Sequence, residues 1–241
     1  MRIKQITSPY IDEKCHLVLG SDGTAVIVDP GVLTAGHVAA EVRLAGAQPL
    51  AVLLTHGHQD HTWDAGRVAN YFGVPAYIAE PDLDWLARPE TAAAPIAAHR
   101  ARAMGVEPVI EIPGDLRPLP ADPAGLSTLA FGRLRFDGRL LPGHTPGSTV
   151  FLVSEAPGEG DQAASSDAAL LTGDVLFNNG IGRVDLPGGD QAAQVASLRT
   201  LANSYPDRVT VWPGHGAITE LGVERRLNGF LKLALTSGKV M

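Results

Sequence analysis

Cysteine, lysine and long apolar runs are scarce in this 241-residue sequence. A single cysteine, Cys15, excludes an internal disulfide, and it equally excludes a thiolate zinc finger or an iron–sulfur cluster built from several cysteines. Any metal held by this chain must rely on histidine and carboxylate. The formal charge is −7 and the pI about 5.6, so there is no basic surplus to neutralise many phosphates along a nucleic acid. The longest apolar runs, such as 50–54, are strand-sized and fall far short of the ~20 residues of a membrane-spanning helix. The first nine residues are too polar for the apolar core of a signal peptide. A cytoplasmic protein with neither a nucleic-acid nor a membrane partner is the expectation, and no obligate protein partner is evident.

What is present describes a folded chain. Hydrophobic residues make up 45% and charged residues 19% of the sequence, with a mean hydropathy of +0.07, which excludes general disorder. We read 1–241 as one domain. Apolar runs rich in Val, Leu and Ile recur at 25–28, 50–54, 76–79, 134–136, 149–153, 169–171 and 209–212 and read as strands. Helical periodicity lies between them at 34–44, 64–71, 95–104, 191–203 and 222–235. The class is therefore α/β or mixed. Two segments look irregular. The proline-rich stretch 108–123 suggests a long loop, and 154–167 has the composition of a flexible hairpin extension.

The strongest chemical signal is Thr55-His56-Gly57-His58-Gln59-Asp60-His61. It directly follows the apolar run 50–54, so a strand delivers four potential ligands into one loop. Imidazole and carboxylate suit zinc and, less often, iron or manganese. Four ligands cannot all serve one tetrahedral ion and leave it an open position, so further ligands and a second metal are to be sought. Three more candidates each follow an apolar run and a glycine: His144 after Gly143, Asp174 after Gly173, and His215 after Gly214. The simplest reading is a pile-up of ligands at one edge of a sheet. The remaining histidines, His16, His37 and His99, are read as structural.

This pattern resembles the metallo-β-lactamase superfamily, whose His-x-His-x-Asp-His string is followed by separate His, Asp and His ligands. The resemblance covers nearly the whole chain, and the 25–31 segment Ala-Val-Ile-Val-Asp-Pro-Gly is similar to that family's early strand and turn. It implies an αββα sandwich, with two mixed β-sheets packed between outer helices and the metal site at one edge. By the same resemblance His56, His58 and His144 would hold one divalent ion, and Asp60, His61 and His215 a second. Asp174 would bridge the two, and Asp60 would also orient the attacking water. Zinc is the first expectation, with iron or manganese as alternatives.

Strings around His144, Asp174, 181–190, His215 and 224–230 are similar to the short, single-domain branch of glyoxalase II-like hydroxyacylglutathione hydrolases. The implied activity is metal-dependent hydrolysis of a small hydroxyacyl thioester, of glutathione or of an analogous thiol. Only 26 residues follow His215, so the helical domain with which longer members grip glutathione is expected to be absent. Alternatives within the superfamily are a mononuclear Fe(II) persulfide dioxygenase, a lactonase, a β-lactamase or an RNA-processing nuclease, the last disfavoured by the acidic balance. Arg183 is a candidate substrate-binding cation, weighed against a buried Arg183–Asp pair that holds its loop.

Overall fold

The computed structural model describes residues 1–88, 102–103, 105, 109–157 and 168–236. Most of the helix expected at 95–104, most of the 154–167 extension, and His99 lie outside the described residues. The chain begins with β1 (Arg2–Thr7), β2 (Lys14–Leu19) and β3 (Thr24–Val28), then α1 (Ala35–Ala45) and β4 (Gln48–Leu53). After β4 come α2 (Gln59–Thr62), α3 (Ala65–Phe72), β5 (Ala76–Ile78), a 3-10 turn (Glu80–Asp82), α4 (Leu83–Ala87) and β6 (Leu116–Pro118). These six strands form one sheet in the order of the chain, antiparallel from β1 to β3 and parallel from β3 to β6.

A second six-stranded sheet is built from β7 (Leu126–Phe131), β8 (Leu134–Leu140), β9 (Thr149–Glu155), β10 (Ala169–Gly173), β11 (Thr210–Pro213) and β12 (Thr219–Glu220). It too is mixed: β10 and β11 run parallel and the other neighbours antiparallel. The helices of this half are α5 (Gln191–Ser204), α6 (Leu221–Leu227) and α7 (Gly229–Thr236).

The period-two alternation of side chains along a strand explains the layering. On β3, Ala25 and Ile27 pack with Val38 and Val42 of α1 and Val68 of α3, whereas Val26 and Val28 pack with Phe136 and Phe151 of the second sheet. Both faces of β3 are thus buried, and the strand reads as a continuous apolar run for that reason. On the far side, Val150, Leu170 and Val211 meet Leu198, Leu201, Leu231 and Ala234 from the C-terminal helices. The layers are helix, sheet, sheet, helix, the αββα sandwich that the resemblance implied.

Five strands were not expected. β1 and β7 lie at sheet edges and mix polar with apolar side chains, so their sequences carry little signal. β6 falls inside the supposed loop 108–123; it is a three-residue edge strand, which is why Pro118 is tolerated there. The helix expected at 222–235 is two helices. Asn228 breaks it, because its Oδ1 accepts from the backbone amides of Phe230 and Leu231 and so caps α7. Among the described residues no helix is long and apolar enough to cross a membrane.

Candidate metal centre

All seven expected ligands come together where strand C-termini of both sheets meet. β4 leads into His56, His58, Asp60 and His61; the turn after β8 carries His144; Asp174 and His215 follow β10 and β11. The string 56–61 is not all loop, since Gln59–Thr62 form the short helix α2, which carries Asp60 and His61. A register shift between β10 and β11 at Leu171/Gly173 re-aims the backbone just before Asp174. Gly214 matters by its size alone, because a Cβ there would sit 2.5 Å from Asp174 Oδ1 and 2.6 Å from His61 Cε1.

The ligand atoms form two groups. His58 Nδ1 lies 2.8 Å and His56 Nε2 3.2 Å from His144 Nε2. His61 Nε2 lies 3.2 Å from His215 Nε2, and Asp60 Oδ2 is 3.7 and 3.3 Å from these two nitrogens. Asp174 stands between the groups, with Oδ2 3.5 Å from His144 Nε2 and 3.7 Å from His215 Nε2, and Oδ1 3.2 Å from His61 Nε2. Within each of three sets (His56, His58 and His144; His56, His61 and Asp174; Asp60, His61 and His215) the atoms lie within 4.8 Å of one another.

Outer hydrogen bonds dictate which nitrogen faces inward. His144 Nδ1 donates to the Arg183 carbonyl at 2.7 Å and His215 Nδ1 to the Ile11 carbonyl at 3.1 Å. His56 Nδ1 meets Thr55 Oγ1 at 3.0 Å, and that hydroxyl donates to Asp29 Oδ2 at 2.6 Å. His61 Nδ1 is 3.1 Å from the same Asp29 oxygen. With these protons directed outward, the inner nitrogens present lone pairs to one another, an arrangement that is repulsive unless a cation lies among them. Asp174 Oδ1 is buried and has no hydrogen-bond partner, a further mark of a donor set built for a cation.

A model of the metallo-β-lactamase superfamily matches residues 14–215. The chain belongs to this superfamily. It is 29% identical over 236 residues to the hydroxyacylglutathione hydrolase GloC of Haemophilus influenzae, spanning 96% of this chain and 98% of that protein. Among solved structures it resembles the B3 metallo-β-lactamase BLEG-1, with a TM-score of 0.76, 31% identity, and 95% and 99% of the two chains covered. A structure of TTHA1623 in a di-iron-bound form gives a TM-score of 0.72 with 32% identity over 94% and 99% of the chains. As a superfamily member the chain is a metallo-hydrolase in class, with clusters of His and Asp able to hold divalent metal.

The electrostatics of this superfamily edge show how strongly it draws positive charge. Burial and the neighbouring His144 push the His58 imidazole down to about 4, and burial with His61 and His144 pushes His56 well below its ordinary value. Burial would do the same to His61, but Asp174 and Asp60 outweigh it and raise its pKa well above normal. Burial alone would raise the Asp174 carboxyl, yet His61 holds it well below the usual range. The carboxylates stay ionised and take a positive charge from whichever neighbour offers it.

Several contributors were not visible as site residues beforehand. Asp29 was read only as part of a turn, yet it anchors both Thr55 and His61. Glu13 is fully buried with neither carboxylate oxygen hydrogen-bonded, 4.0 Å from His61 Nδ1, and burial pushes its pKa well up. Trp85 stacks on His58 at 5.8 Å with an interplanar angle of 10°. Nothing in the local sequence of Glu13 or Trp85 marks them, because their roles depend on contacts made across the fold. Arg183 departs from the buried-pair reading in one respect. Its guanidinium does pair with Asp185 at 2.7 Å, but both side chains are exposed, 61% and 67%, so the pair is not buried. Its carbonyl is what reaches the site. Of the histidines read as structural, His16 is buried in β2 against Trp212 and His37 is exposed on α1.

Proposed function

We propose that the chain is a two-metal hydrolase of small hydroxyacyl thioesters, of glutathione or an analogous thiol. The observation that carries this reading is Asp174, placed between two complete ligand groups at distances compatible with serving both. His56, His58 and His144 would hold one divalent ion, Asp60, His61 and His215 the other, and Asp174 both. When bound, such a pair supplies Lewis acidity that activates water near neutral pH and polarises a carbonyl. The chain's own residues do the rest. Asp29, Thr55 and the carbonyls of Arg183 and Ile11 fix four imidazoles in the tautomer that faces inward. Asp60 is the most open carboxylate of the set, its side chain 17% exposed, and would accept a hydrogen bond from an entering water and orient it. The half-buried Trp85 and Phe177, against His58 and His215, give the acyl group apolar walls.

Similarity to GloC along the full length of both chains supports thioesters as the substrate class. The test is a panel on zinc-loaded protein: lactoyl thioesters of several thiols, a lactone, a β-lactam in view of the likeness to BLEG-1, and glutathione persulfide. Release of free thiol from at least one thioester is the expected result. Silence on every thioester overturns the substrate assignment and leaves the metal centre standing; a single bound iron with persulfide-dependent oxygen uptake overturns both.

A further inference from the structure

Asp82 is fully buried, is not among the seven ligands, and ends the 3-10 turn that follows β5. Its carboxylate accepts three hydrogen bonds from two different ligand loops. Oδ2 receives the Gly57 amide at 2.9 Å, between His56 and His58, and the Thr145 hydroxyl at 2.7 Å, next to His144. Oδ1 receives the Gly147 amide at 2.7 Å. The first loop hangs from β4 in one sheet and the other from β8 and β9 in the second sheet, so this one carboxylate ties the two halves of a ligand group together. The fit leaves no slack: a Cβ on Gly147 would come within 2.5 Å of Asp82 Cγ. Three residues on, Trp85 lies flat against His58, so the same short segment touches the group a second time.

We propose that Asp82 is a positioning residue that sets the spacing of His56, His58 and His144, and thereby the affinity of that ion position and not of the one formed by Asp60, His61 and His215. The proposal rests on the two-metal reading above. The second group leans on Asp29 behind His61 and on Ile11 behind His215, whereas the three hydrogen bonds that Asp82 accepts all come from the loops that carry His56, His58 and His144. Burial pushes the Asp82 carboxyl up while Thr145, Gly57 and Gly147 pull it back, so the donors of the two loops and the carboxylate stabilise one another. Asp82→Asn replaces one acceptor oxygen with a donor and must leave at least one loop facing another N–H or O–H.

The test is a titration of chelator-stripped wild type, Asp82→Asn and Thr145→Val with Co2+ and Zn2+, read by cobalt ligand-field absorption and by competition with a chelating indicator. Thermal melts of the metal-free proteins run alongside and show whether each variant folds. Wild type is expected to take two ions. Asp82→Asn should hold one at wild-type affinity and the other at least about tenfold more weakly, with only one component of the cobalt spectrum changed; Thr145→Val should do the same to a smaller extent. A folded Asp82→Asn that binds both ions as wild type does, or that weakens both equally, overturns the proposal. Should Asp82→Asn fail to fold, Thr145→Val decides: selective weakening supports the assignment and unchanged affinity overturns it. A wild type that takes up fewer than two ions contradicts the two-metal reading itself, and Asp82 then stands or falls on whether the ion that does bind is weakened in the variants.

Discussion

Asp29 carries more of the site than its position suggests. It sits at φ +51°, in the left-handed region that Asp tolerates better than most residues, and from there it receives the Thr55 amide and hydroxyl and faces His61 Nδ1. Asp29→Asn keeps the volume but must turn an amide N–H toward one of these donors. Metal affinity is expected to fall about 10–100-fold, as is usual when the hydrogen-bond partner of a ligand is lost, measured by chelator competition with far-UV dichroism as the control for folding. His16 makes a separate, pH-dependent contribution. Burial, helped by His61 and Lys14, lowers its pKa to about 3, so it stays neutral in the folded chain while the unfolded chain takes up a proton below about 6.5. Stability is therefore lost as pH falls through that window. In metal-free protein, His16→Gln should flatten the stability profile between pH 6 and 4 by up to ~1.4 kcal/mol per pH unit; denaturant unfolding at several pH values would show an unchanged slope if His16 were irrelevant.

At the scale of elements, the most informative joint is the break between α6 and α7. Asn228 is fully buried; besides capping α7, its Nδ2 donates to the Gly180 carbonyl at 3.1 Å and to Glu224 Oε2 at 2.9 Å. Glu224 Oε2 also accepts the Asn179 amide at 2.8 Å. The C-terminal helices thus brace the 177–180 turn, whose Phe177 lies against His215. Asn228→Ala removes the cap and orphans the Gly180 carbonyl, at a cost of about 1–3 kcal/mol. That corresponds to a fall in melting temperature of roughly 2–12 °C for a chain of this size, measurable by calorimetry. The sequence hides this joint for a physical reason: Asn interrupts helical periodicity only weakly, and the Gly180 carbonyl that it holds lies 48 residues away. Central strands such as β3 and β10 were legible because burial on both faces makes them continuously apolar, whereas β2 escaped because Lys14, Cys15 and His16 open it. The edge strands were not, because a half-exposed strand next to a charged turn looks like a loop. The candidate ligands were the most legible residues of all, since metal chemistry restricts their types; Asp82, Glu13 and Trp85 act through contacts that no local spacing encodes.

For the whole molecule, the sharing of candidate ligands between the sheets would give a bound metal a mechanical role. Histidines from the first sheet's edge and His144, Asp174 and His215 from the second converge within a few ångströms, so a bound ion would cross-link the two layers. An ion present at a thousand times its Kd adds about 4 kcal/mol to the folded state, or roughly 8–16 °C of melting temperature. Stripping the protein with a chelator should lower the transition by about that amount for each tightly bound ion, and re-addition should restore it; an unchanged melt would mean that neither group holds metal tightly. The division of the ligands also has a consequence in time. The group of His56, His58 and His144 is complete only once residue 144 has been made, and the other only once residue 215 has, so a nascent or truncated chain offers partial sites that grip an ion poorly. Metal uptake would thus wait until residue 215 had been made, and occupancy of both positions would certify that both layers had been delivered that far and had closed on one another.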